Sequence, residues 1–414
     1  MYRKTVLDCG LSVITEEIPF FQSATVGIWA KTGSANESPE KNGISHFIEH
    51  MLFKGTSSKS ASDIAEIMDE CGGQSNAFTE KEATCFYAKV LGRHVPMAMD
   101  LLFEMLTDSA FRPDELERER GVVLDEISMY EDSPEDIIMD MFPSLVWKDS
   151  SLGMPVLGNR ETVSSITRDD MLRYMNETYV AGNLLVCAAG NVRHDEIVSL
   201  AMKHSGALRS GERISAPPAC VSPRASSLRI KDCEQAYLII GREGLKRNDP
   251  DRYALLLADG MLGSSMSSRI FQEIREKRGL AYNISSFVTG LENSGLFGIY
   301  AGTSPEHLSE VASVSAEITE KMRSEGPSEA ELRRAKEQLK GSIALSLENS
   351  AGRMISLAKL EFYYGRFISP EEMFEKIDAV TAEDIMRLSS SMFDTSSYSS
   401  CVLGDLSEGF KLVF

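Results

Sequence analysis

The chain has 414 residues, 43% of them hydrophobic and 25% charged, with a net charge of −19. That balance excludes a disordered chain, and the length exceeds one ordinary core, so two domains are expected. The acidity argues against a nucleic-acid partner, and no apolar run reaches the ~18 to 20 residues of a membrane helix.

Met1 to Asp8 carries Arg3 and Lys4 but no apolar segment, so no secretory signal is expected and the cytoplasm is the default compartment. Alternation then predicts strands at 11–15 and 24–30, and the polar stretch 32–42 leads into a helix. That helix carries His46-Phe47-Ile48-Glu49-His50. Residues at i, i+3 and i+4 share one helix face, so His46 and His50 can offer two imidazoles to one metal ion, with Glu49 beside them. The order H-x-x-E-H is the inverzincin pattern. Two surface histidines with an incidental glutamate would be the plainer reading, disfavoured in a chain with only six histidines. The other four, His94, His194, His204 and His307, have no metal spacing to a neighbour.

Ser60 or Ser62 caps a helix running to Cys71, which Gly72-Gly73 ends. Residues 76–79 and 84–90 read as a hairpin and 97–106 as a helix, and Pro113 opens a long charged helix to about Tyr130. Thr167-Arg168-Asp169-Asp170 has the form of a capping box and precedes a strand at 184–189. The seven cysteines are odd in number and include no C-x-x-C, so neither a disulfide framework nor a thiolate zinc site is expected.

Residues 209–227 shift to Ser, Arg, Gly and Pro and read as a linker between 1–208 and 228–414. Beyond it the plan returns, with a strand at 236–240 and a helix at 253–262. The segment 256–262 aligns with 46–52, and 380–387 echoes 166–173, at nearly one spacing close to half the chain length. The expected fold is therefore α+β, two homologous halves from an internal duplication, each a roll-like assembly of antiparallel sheet and helices. The second copy has Leu256, Asp259 and Gly260 where the first has His46, Glu49 and His50, so the fold itself does not require the histidines.

A catalytic zinc takes three protein ligands and keeps one position for water. Glu119 and Glu126 lie seven residues apart, two turns along one helix face, and either can face the motif. Aligning Leu116 with Leu332 sets Ala335 and Ser342 opposite them, so both acids are missing from the copy that lacks the histidines.

The run from Gly43 to Gly55, Gly72-Gly73 with Asn76-Ala77-Phe78-Thr79, the run from Glu119 to Ile127, and the stretch from Arg275 to Tyr282 carry a family resemblance. Together they resemble the pitrilysin family of inverzincin zinc metallopeptidases, in the short form similar to the β-subunit of mitochondrial processing peptidase and its bacterial relatives. The resemblance spans essentially the whole chain. It implies one zinc ion per chain on His46, His50 and Glu126, with Glu119 orienting a ligating imidazole and Glu49 as general base. It further implies a peptide added as a strand at Asn76, Ala77, Phe78 and Thr79, and Arg275 and Tyr282 as catalytic donors from the second half. The segment 263–266 is poorer in glycine than in many relatives. The function so implied is a zinc-dependent endopeptidase or oligopeptidase for short or unfolded peptides, processing-peptidase-like and homodimeric. The acidic charge suits basic, presequence-like substrates. The alternative is a structural or assembly subunit of the same family; such members lack ligands that this chain keeps.

Overall fold

A computed structural model describes residues 1–414. The first half runs β1 (Tyr2–Val6), β2 (Ser12–Glu17), β3 (Ser23–Ala30), α1 (Ile44–Leu52), α2 (Ala61–Glu70), β4 (Gln74–Thr79), β5 (Thr84–Leu91), α3 (Val95–Thr107), α4 (Pro113–Asp132), α5 (Pro134–Val146), α6 (Arg160–Ser165), α7 (Arg168–Thr178), β6 (Leu184–Gly190) and α8 (His194–Ser205). The second runs β7 (Ser226–Ile230), β8 (Ala236–Glu243), α9 (Arg252–Leu262), a π-helical stretch Phe271–Lys277, β9 (Ala281–Gly290), β10 (Gly295–Thr303), α10 (Leu308–Glu325), α11 (Glu329–Ser346), α12 (Ser350–Tyr364), α13 (Pro370–Ala379), α14 (Ala382–Met392) and β11 (Ser399–Gly404).

The strands form two sheets, ordered β1-β2-β6-β3-β5-β4 and β7-β11-β8-β10-β9. Apart from β1, the second order repeats the first strand for strand, which is the duplication in three dimensions. The repeated capping boxes behave alike: Thr167 with Asp170 opens α7, and Thr381 with Asp384 opens α14. One expectation needs correction. The sheets are mixed, because β2 pairs parallel with β6 and β7 parallel with β11. In each half that last strand arrives after a long helical excursion, which is the kind of connection a parallel pair requires.

The chain packs as two compact units that are not its two contiguous halves. Unit 1 takes residues 1–128, 154–217 and 345–367; unit 2 takes 129–153, 218–344 and 368–414. Thus α12 packs within unit 1 against β2, β3 and β6, while α5 packs within unit 2 against β7, β8 and β11. In unit 1 the strand period of two sorts the core. Val26 and Ile28 of β3, with Val186 and Ala188 of β6, join α1, α3 and α4 on one face. Trp29, Leu185 and Cys187 face Met354, Leu357 and Phe362 of α12 on the other. With helices on both faces, β3 and β6 read as nearly continuous apolar runs.

Candidate metal centre

Helix α1 packs Ile44, Phe47, Ile48, Met51 and Leu52 into the unit 1 core. The same helix carries His46, buried, and Glu49 and His50, half-buried, on its polar stripe. Its start is unusual. No side chain of the N-cap residue closes it; instead Glu37 reaches back from the preceding loop. Glu37 Oε2 accepts from Gly43 N–H (2.7 Å) and Asn42 Nδ2 (2.8 Å), and Oε1 from Ser45 N–H (2.8 Å). A carboxylate at a helix N-terminus is favoured by the helix dipole and the orphan donors there. Burial pushes the Glu37 pKa up, and these hydrogen bonds oppose that push.

Helix α4 supplies the acids. His46 Nε2, His50 Nε2 and Glu126 Oε2 form a triangle with edges of 3.3 Å (His46–His50), 3.7 Å (His46–Glu126) and 3.5 Å (His50–Glu126). Ligands about 2.0–2.1 Å from a tetrahedral zinc stand about 3.4 Å apart, so these three donor atoms fit three corners of a zinc site. They form the chain's one such group of metal-capable side chains.

Glu119 lies two turns before Glu126, is 3% exposed, and does something else. Its Oε1 accepts from His50 Nδ1 at 2.9 Å and its Oε2 binds Lys54 Nζ at 2.8 Å. A carboxylate on Nδ1 fixes the proton there and leaves Nε2 with its lone pair toward the triangle. Burial, aided by the neighbouring His50, pushes the His46 pKa down to about 3, so this imidazole is neutral and able to ligate at ordinary pH. Burial raises the pKa of Glu49, opposed by a hydrogen bond from Thr79 Oγ1 to Glu49 Oε2 at 2.5 Å.

The strand expected to receive a peptide, β4, is the edge strand of its sheet. Ala77 packs on the α1 side of it, and Phe78 turns to the other face, its ring 5.3 Å from Trp29. Asn76 is exposed, with its side-chain oxygen accepting from Ala77 N–H at 2.8 Å. Arg275 and Tyr282 belong to unit 2. The guanidinium sits 4.2 Å from the Tyr282 ring centre and 4.9 Å from that of Phe271, and donates to Tyr282 O at 2.8 Å. Both line an open groove of about 510 Å³ together with Glu135, Asp136 and Tyr300. The segment 263–266 caps α9: Gly263 and Ser264 donate their N–H groups to Asp259 O. Asp259, aligned with Glu49, is buried and accepts from Ser286 Oγ at 2.5 Å, a packed and satisfied carboxylate.

Two residues of this centre escaped the sequence reading. Lys54 follows His50 by four residues, a spacing that could have flagged it. Glu37 lies in an irregular polar loop, where nothing in the pattern marks it as the cap of α1.

Comparison with known proteins places the chain among peptidases of family M16. Residues 12–160 match the profile described as Insulinase (Peptidase family M16), and residues 165–339 match that of the Peptidase M16 inactive domain. An uncharacterized zinc protease of Streptomyces coelicolor is 40% identical over 396 residues, spanning 92% of this chain and 85% of its own. Another, from Bacillus subtilis, is 38% identical over 393 residues, spanning 95% and 96%. A crystal structure of a peptidase M16 inactive domain from Pseudomonas fluorescens superposes with a TM-score of 0.92 at 20% identity, over 99% of this chain and 100% of that one.

Proposed function

The chain belongs to the insulinase family of peptidases (M16) and is a zinc protease of that family, and on this premise we propose that it cleaves short or unfolded peptides internally at the His46–His50–Glu126 centre. The observation that carries the reading is the triangle of donor atoms with Glu49 on the helix between its two histidines. Zinc held by His46, His50 and Glu126 would lower the pKa of a water toward ~7 and polarise the scissile carbonyl. Glu49 takes the proton of the attacking water and returns it to the leaving amine. Glu119 keeps the His50 ring in one tautomer and orientation, with Lys54 holding its other oxygen. The free edge of β4 offers backbone groups to an extended peptide, and Asn76 can turn from Ala77 N–H to the peptide backbone. Arg275 and Tyr282 are proposed donors to the developing oxyanion, a role that rests on the family resemblance of the stretch from Arg275 to Tyr282.

Basic, presequence-like peptides are the proposed substrates, consistent with the net charge of −19, and a homodimer is the proposed assembly, checked by light scattering. No helix is long and apolar enough to cross a membrane. The complete donor set weighs against an assembly subunit without catalysis. The deciding experiment joins metal analysis to cleavage of a quenched peptide library. The wild type should carry about one zinc per chain and cleave, a chelator should abolish cleavage and zinc restore it, and Glu49→Gln should keep zinc while losing roughly 10³-fold or more in rate. Zinc binding without cleavage of any library peptide would favour the assembly reading.

A further inference from the structure

Thr79 is the last residue of β4, and its hydroxyl is committed. A carboxylate has no proton to give, so the 2.5 Å contact is Thr79 Oγ1 donating to Glu49 Oε2. The backbone behind that hydroxyl is held on the sheet. Thr79 pairs with Thr84 across the hairpin, Glu80 N–H donates to Ala83 O at 2.8 Å, and Thr84 Oγ1 donates to Thr32 O at 2.9 Å. One bond therefore runs from the edge strand to the general base. It takes one acceptor site of Oε2 and leaves the other sites of the carboxylate for the water proton.

We propose that Thr79 is a positioning residue and not a peptide contact: its hydroxyl fixes the rotation of the Glu49 carboxylate against β4, so that a peptide aligned on that strand meets a base already set in register with it. The proposal rests on the peptidase reading above and assigns a different role to a residue expected to bind substrate. Geometry of this kind acts on the rate of the bound complex rather than on binding, since a reacting group displaced by about 1 Å costs up to ~10²-fold.

The test compares Thr79→Val, which keeps the shape and deletes the hydroxyl, with Thr79→Ser, which keeps the hydroxyl and deletes the methyl. For the valine variant we expect zinc content equal to wild type, kcat lower by about tenfold or more, and KM within about twofold. The serine variant should recover to within about threefold of wild-type kcat. In a Glu49→Gln background, where peptide binds uncut, adding Thr79→Val should leave peptide affinity by fluorescence polarisation unchanged. The assignment is overturned if the valine variant keeps wild-type kcat, if serine is as impaired as valine, if the loss lies in KM and peptide affinity, or if zinc is lost. Should valine fail to fold, Thr79→Ser with low kcat overturns it, and full-rate serine beside a slow, zinc-loaded Thr79→Ala supports it. A wild type that cleaves nothing fails the peptidase reading instead, which separates the two.

Discussion

His50 is held at Nδ1 by Glu119, which Lys54 holds in turn, and this chain of support gives the centre a graded sensitivity to mutation. Replacing Glu119 with Gln keeps the size of the side chain but loses the charge opposite Nδ1. Zinc affinity should fall about 10- to 100-fold, measured by competition with a chromophoric chelator. Lys54→Met keeps most of the stem and removes the ammonium from Glu119 Oε2, so a smaller loss of severalfold is expected. Unchanged affinity in both would mean that the packing of α1 and α4 alone orients the ring. At this scale the sequence was unevenly legible. His46, Glu49 and His50 follow from helical spacing alone. Glu119 and Glu126 share one face of α4, so spacing alone could not divide their roles; the family resemblance implied the division, and in the structure Glu126 closes the triangle while Glu119 sits on His50 Nδ1. The partners of Lys54 and Thr79 lie 65 and 30 residues away in sequence, beyond any local pattern.

Helix termini decide much at the next scale. Gly43 has φ +95°, and a Cβ there would meet Leu157 O at 2.7 Å. Gly43→Ala should therefore destabilise unit 1 by about 2 kcal/mol or more, seen as a lower thermal midpoint of the zinc-free protein. In unit 2 the start of α11 depends on Glu331, which binds Arg269 through both oxygens (2.8 and 3.0 Å) and accepts from Ser328 N–H. The Arg269 guanidinium, followed by the Ser328 bonds, pulls the Glu331 carboxyl down to about 2 against the opposing effect of burial. The folded value lies below an unfolded one of about 4.3, so this contribution is whole above pH ~4.5 and fades as pH falls toward 2. Glu331→Gln should cost about 1–2 kcal/mol near neutral pH, and its acid-unfolding curve should converge on wild type near pH 2. A constant difference across that range would count against the ion pair. In the first half most elements could be read from periodicity and caps, but α5 could not, and in the second half only β8, α9 and the start of α14 were. The α5 run Pro134–Val146 contains Pro143 near its end, and its apolar residues face a sheet built by the other half of the chain.

For the whole molecule, the exchange of α5 and α12 makes the two units a joint product of the entire chain. A fragment ending in the linker lacks α12, which leaves Ile14, Trp29, Leu185 and Cys187 without their cover. Residues 1–217 expressed alone should fail to give a cooperative, zinc-loaded fold, whereas coexpression with 218–414 should recover it. Copurification through a tag on one fragment would show this, and a stable zinc-binding 1–217 fragment would refute it. The same exchange sets a schedule for synthesis. Every side chain of the metal centre has been made by residue 126, yet one face of its sheet stays bare until residue 364 has left the ribosome. At about 5–20 residues per second that is a wait on the order of ten seconds or more. The part of the chain born first is finished late, and pulse-labelled nascent chains should turn protease-resistant only near full length.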